Sequence, residues 1–104
     1  NYIEMEASAF KTGSAPVVYA WYPTAAPKQI SNAILAAQES ALKAGERSKL
    51  VYSITGTTGL TIDSATGVIG GSAGAGTSTI KVVAQKADGT PIKDMDASAT
   101  IVLS

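Results

Sequence analysis

The sequence predicts an all-β sandwich interrupted by one α-helix of about residues 27–44. From Lys49 to the C-terminus, apolar and polar residues alternate with period two, the spacing of a strand with one face against a core. Clusters of Gly, Ser, Thr and Asp separate the alternating runs, as turns separate the short strands of a sandwich. Between residues 27 and 44 the period changes to that of a helix, in an alanine-rich stretch.

Residues 1–14 come first. Ile3, Met5 and Ala7 alternate with Glu4, Glu6 and Ser8, which suits either an edge strand or an arm that pairs with a neighbouring subunit. Lys11–Ser14 reads as a turn. Residues 15–22 form the first well-marked strand. Val17, Tyr19 and Trp21 share one face, and Val18, Ala20 and Tyr22 the other. Neither face is polar, so cover is expected on both sides. Pro23 ends the strand by removing a ladder donor.

In the helix, Ile30, Ile34, Ala37 and Ala41 form the apolar stripe, with Leu35 and Leu42 beside it. Asn32, Glu39 and Lys43 fall on the far side, where Glu39 and Lys43 make a favourable i,i+4 pair. Pro27 suits the first turn and Gly45 the position after the last. Ser31 is the alternative N-cap for a later start. The narrow stripe of small side chains predicts packing on a sheet edge or sandwich end.

Past the helix, Leu50, Tyr52 and Ile54 face inward, as do Ile80, Val82 and Ala84, and Ala99, Ile101 and Leu103. Ala87–Pro91 turns the chain between the last two long strands, which are expected to be antiparallel neighbours. No internal repeat is present.

The composition bounds the function. A chain of 104 residues, 45% hydrophobic and 15% charged, makes one folded domain spanning 1–104. Eight basic residues balance eight acidic ones, which is neither a nucleic-acid footprint nor a polybasic membrane patch. Cysteine and histidine are absent, so a Ser-His-Asp or Cys-His arrangement cannot be built within this chain. No apolar run reaches the ~20 residues of a membrane helix. The chain opens on Asn1 without a signal-peptide pattern, as a trimmed chain or a piece of a longer one would.

One stretch carries a more specific pattern. Tyr52-Ser53-Ile54-Thr55-Gly56 is followed by Gly59-Leu60-Thr61-Ile62-Asp63, then Ala65-Thr66-Gly67-Val68-Ile69 with Gly71, then Ala75-Gly76-Thr77 opening the strand of Ile80 and Val82. In this order, Asp63 can bond the backbone of the following turn and Gly67 can supply a positive φ. Residues 50–86 thereby resemble the immunoglobulin-like, cadherin-like repeats of bacterial surface proteins and phage virion proteins. Two positions depart from that family: Ala73 stands after Gly71-Ser72 where proline is common, and Ser78 where an aromatic is common. The front half with its helix does not match the family's first strands. The resemblance implies an immunoglobulin-like β-sandwich.

For function, the resemblance implies a non-enzymatic structural module of a phage virion, such as a capsid decoration or tail-associated protein. The alternatives are a stalk or adhesin repeat of a bacterial surface protein and a carbohydrate-binding module. The implied location is the virion or the cell surface. The expected partners are capsid, tail or neighbouring domains, with a surface glycan as a further ligand, and neither nucleic acid nor membrane insertion is expected.

No catalytic residue and no cofactor is expected. Asp94-Met95-Asp96 superficially resembles a calcium ligand pair, but calcium takes six to eight oxygens and aspartates near turns ordinarily cap them, so no metal site is assigned. Gly70–Gly76 lacks the lysine and hydroxyl of a phosphate loop. Five of the six aromatics lie in the first 22 residues. One reading places Tyr19 and Trp21 together in the core, and the other leaves Trp21 among the exposed aromatics. Aromatics outside a core are enriched at interfaces, so Tyr2, Phe10, Trp21 and Tyr22 are the candidate protein-interface residues.

Overall fold

A computed structural model describes residues 3–6, 12–20, 28–37, 48–86 and 88–104. The described chain is mostly β, in three sheets, with a single short helix.

The first sheet has the order β1-β2-β3 and is antiparallel throughout, with β1 at Ile3–Glu6, β2 at Val17–Ala20 and β3 at Lys28–Ile30. Ile3 and Met5 lie opposite Ala20 and Val18, and all four are buried. Residues 3–6 are thus a first strand within the chain. Of the strand expected over residues 15–22, the structure shows β2 at 17–20, and Trp21 and Tyr22 lie outside the described residues. The faces of β2 are also unequal. Val18 and Ala20 face the core, while Val17 and Tyr19 are half-buried on the opposite face beside Glu6 and Glu4. The expectation of Tyr19 in the core is therefore corrected, because strand alternation gives the core to its neighbours.

The helix α1 spans Asn32–Ala37, and residues 38–47 lie outside the description. Its start differs from the expected 27, since Lys28–Ile30 pairs with β2. Ser31 is the N-cap: its Oγ accepts the Ile34 N–H at 3.1 Å and its carbonyl accepts the Leu35 N–H at 2.9 Å. Leu35 packs against the core, as does Ile30 from β3.

The second sheet has the order β4-β7-β8, formed by Ser48–Gly56, Gly76–Lys86 and Pro91–Leu103. Leu50, Tyr52, Ile80, Val82, Ala84 and Ile101 are buried as the alternation predicts, and Ile54, Ala99 and Leu103 pack against them. The last two strands are antiparallel neighbours. At their turn, Gly89 N–H donates to the Lys86 carbonyl at 2.9 Å and takes φ 91°, and Asp88 Oδ1 accepts the Thr90 N–H at 2.9 Å. The ladder is regular from Leu103 to Asp96 and irregular between Val83 and Gln85, where Asp94 takes φ 61°. A bulge of this kind bends an edge strand.

The short hairpin β5-β6, Leu60–Ile62 with Ile69–Gly71, pairs Ile62 with Ile69. Two backbone bonds tie β6 to the segment leading into β2: Gly13 N–H to the Ile69 carbonyl at 2.7 Å, and Ile69 N–H to the Ser14 carbonyl at 3.0 Å. Buried side chains from both three-stranded sheets and from β6 form one cluster, and β1 lies against β8.

Candidate interaction surfaces

Asp63 ends β5 and begins the turn into β6. Its Oδ1 accepts the backbone N–H groups of Ala65 and Thr66, each at 2.9 Å. Its own N–H donates to the Val68 carbonyl at 3.0 Å, and its carbonyl accepts the Gly67 N–H at 2.8 Å. The N–H groups of Thr66 and Ala65 hold the carboxyl below its ordinary 3.8, since hydrogen bonds to the charged form favour that form. Gly67 takes φ 75° and sits on the Tyr52 ring, where an added Cβ would stand 2.8 Å from a ring carbon. Glycine is needed there twice over, for its backbone and for its lack of a side chain.

That turn docks on the outer edge of β4. The Tyr52 N–H donates to the Ser64 carbonyl at 2.9 Å. One rung earlier, Asn32 takes the place of a strand. Its Oδ1 accepts the Leu50 N–H at 2.8 Å, and its Nδ2 donates to the Leu50 carbonyl at 2.8 Å and to the Ala65 carbonyl at 2.5 Å. A paired residue in an antiparallel ladder makes the same two-way exchange. Asn32 was expected on the polar far side of the helix; it instead seals the edge and joins α1 to the Asp63 turn. The only local signal for it is its position directly after the N-cap Ser31, because its partners lie 18 and 33 residues away.

A second polar junction is buried. Thr58 Oγ1 and Ser78 Oγ lie 2.6 Å apart, the Thr58 N–H reaches Ser78 Oγ at 3.3 Å, and both residues are almost fully covered. Ser78 thus serves as a buried hydrogen-bonding partner of Thr58. Gly74 N–H donates to the Thr58 carbonyl at 2.7 Å, so the glycine-rich connection is pinned at one point.

These polar side chains satisfy backbone groups and each other, an arrangement suited to holding loops in place. The aspartates fit that pattern. Asp88 is held below the ordinary carboxylate range, first by the Thr90 hydroxyl, then by the Thr90 N–H and the nearby Lys86 charge. Burial pushes the Tyr52 hydroxyl up. Asp94 and Asp96 are exposed on β8. Among the described residues, no three carboxylates gather as a metal site, and no helix is long and apolar enough to cross a membrane.

Of the interface candidates, Tyr2, Phe10, Trp21 and Tyr22 all lie outside the described residues. What the structure does present are the outer faces of the two three-stranded sheets. The first carries Glu4, Glu6, Val17, Tyr19 and Gln29. The second carries Lys49, Val51, Ser53 and Thr55 on β4, with Thr79, Lys81 and Val83 on β7 and Asp96, Ser98, Thr100 and Val102 on β8. Among the described residues, Val102 is the most open large apolar side chain, 73% exposed. Compared with family models, curated proteins and solved structures, the chain finds no match in any of the three.

Proposed function

We propose that the chain is a non-enzymatic structural module of a phage virion, an immunoglobulin-like domain of the decoration or tail-associated kind. The observation that carries the reading is the fit of residues 50–86 to the roles their motif assigns them. Asp63 caps the turn, Gly67 turns it with a positive φ against Tyr52, Leu60 and Ile62 point inward, and of the pair expected to return the chain to the sheet Ile69 is buried while Val68 is exposed. The strand orders support the sandwich. An immunoglobulin-type domain sets its third, sixth and seventh strands in one sheet and its first, second, fifth and fourth in the other. The order β4-β7-β8 suits the first of these sheets. The second is matched by β1-β2, with β6 tied to the approach to β2 and β5 paired to β6. The addition is β3, which takes the remaining edge of β2. Polar side chains spent on holding loops suit a scaffold whose work is done by its surface.

Trypsin releases residues 50–81 as one peptide, since no Lys or Arg lies between Lys49 and Lys81. Quantifying it in purified particles and in the envelope of the bacterium that carries the gene tests the assignment. The expected result is recovery from particles at a fixed ratio to the major capsid protein. Its absence from particles overturns the proposal, and enrichment in the envelope fraction favours a surface stalk.

A further inference from the structure

The outer faces of the two sheets differ in charge while sharing an apolar centre. On the first sheet, Tyr19 stands between Glu4 and Gln29, and Val17 stands beside Glu6. Tyr19 and Val17 are half-buried, and both glutamates are exposed. Among the described residues, the charged side chains of this face are acidic. On the second sheet, Val51 and Val83 pair at the centre with Asp96 at the rim. Lys49 lies on the rung to one side and Lys81 on the rung to the other, both exposed. Farther along, Thr55, Thr79 and Thr100 make one row and Thr77 and Val102 the next. The face is mostly β-branched. Such side chains are stiff at χ1, so they lose little rotamer freedom when covered.

We propose that these two faces bind each other between copies of the chain, the valine pair flanked by Lys49 and Lys81 receiving the Val17 and Tyr19 patch that carries Glu4. The occupant is a second copy because the same chain supplies both the basic face and its acidic complement, which also explains how a chain of zero net charge carries two faces of opposite bias. The contact uses a different patch on each partner, so it is heterologous and extends head to tail into a ring or a filament. Asp96, across the strands from Val51, sets the lateral position by disfavouring a glutamate placed over it. The contact serves a particle protein and a surface stalk alike, so its failure leaves the assignment to the virion untouched.

Charge reversal separates this contact from unspecific association. Sedimentation velocity over a concentration series at low salt is expected to show wild-type chains growing beyond the monomer, with the effect weakened at 0.5 M salt (about a 4 Å screening length). Glu4→Lys and Lys81→Glu are exposed changes and are expected to leave the melting temperature nearly unchanged. Each alone is expected to weaken association roughly tenfold, the scale of one strong charge pair. An equimolar mixture of the two variants restores it, because the reversed face of each then meets a complementary face of the other. A wild-type chain that stays monomeric at millimolar concentration, association indifferent to both reversals, or a mixture that fails to recover would each overturn the proposal. Should either variant unfold, Glu4→Gln and Lys81→Gln replace them: each alone is expected to weaken association, and their mixture to form pairs through the one intact contact between them without growing further, so a mixture that forms no pairs overturns the proposal.

Discussion

Asp63 joins sequence, turn and stability in one side chain. Its two short hydrogen bonds to Ala65 and Thr66 N–H favour the carboxylate over the acid and depress its folded pKa below 3.8. A depressed carboxyl contributes stability that is fully present above its unfolded pKa and is lost as pH falls through the folded value. Asp88 follows the same direction through Thr90 and Lys86, so the wild-type chain loses stability at acid pH from two turns at once. Asp63→Asn keeps an acceptor oxygen and removes the charge, which isolates the first. Its melting temperature is expected to lie below that of the wild type by a constant amount above about pH 5, and the gap to narrow as pH drops below 3.8. A gap that stays constant down to pH 2.5 would assign the loss to shape alone. Asp63 and Gly67 were legible in the sequence because an Asx turn is made among neighbours, and residue type and spacing specify it. Asp94 was not. Its φ of 61° arises from how β8 meets β7 at the irregular rungs near Val83 and Gln85, a matter of pairing that no local pattern in the run 91–96 encodes.

Strand β4 shows the same division among the elements. Its alternation and its inward set of Leu50, Tyr52 and Ile54 were readable from period two alone. Its pairing with β7 and the sealing of its other edge depend on contacts far along the chain. Helical spacing across residues 27–44 concealed β3, because Ile30 fits an apolar stripe in either conformation and the ladder to β2 decides between them. Ser31, whose type marks an N-cap, remained readable as the later start. An open strand edge invites pairing with another chain, and here one asparagine side chain covers the Leu50 rung. Asn32→Ala removes three hydrogen bonds and leaves the Leu50 N–H and carbonyl without that partner in a partly buried place. The expected cost is about 2 kcal/mol, at the upper end for a neutral group because the backbone partners are stranded. Urea unfolding measures the loss, and amide exchange should speed up most at Leu50. A cost under about 0.5 kcal/mol, the size of an ordinary surface change, would mean that water replaces Asn32 without penalty.

The whole molecule turns on whether the two three-stranded sheets stand or fall together. Their strands are not bonded to each other as one ladder, yet Ile3, Met5, Val18 and Ala20 share a buried cluster with Leu50, Tyr52, Ile80, Val82, Ala84 and Ile101. The second sheet was legible strand by strand, since its longest hairpin is local and its motif residues mark the turns. In the first, β1 and β2 were legible as strands but β3 and the pairing were not, because the partner of each strand there is chosen by burial against the second. That dependence predicts a single cooperative unit. Ile80 is fully buried on β7 and shares the buried cluster with Val18 of β2. Ile80→Ala is expected to cost about 3 kcal/mol through lost burial and the cavity left behind. If the core is one, that cost appears equally in the exchange protection of the most protected amides of β2 and of β7, because each opens only when the whole domain unfolds. Protection lost from β7 while β2 keeps its own would reveal two units that unfold separately, and the shared cluster would then be a contact between them instead of a common core.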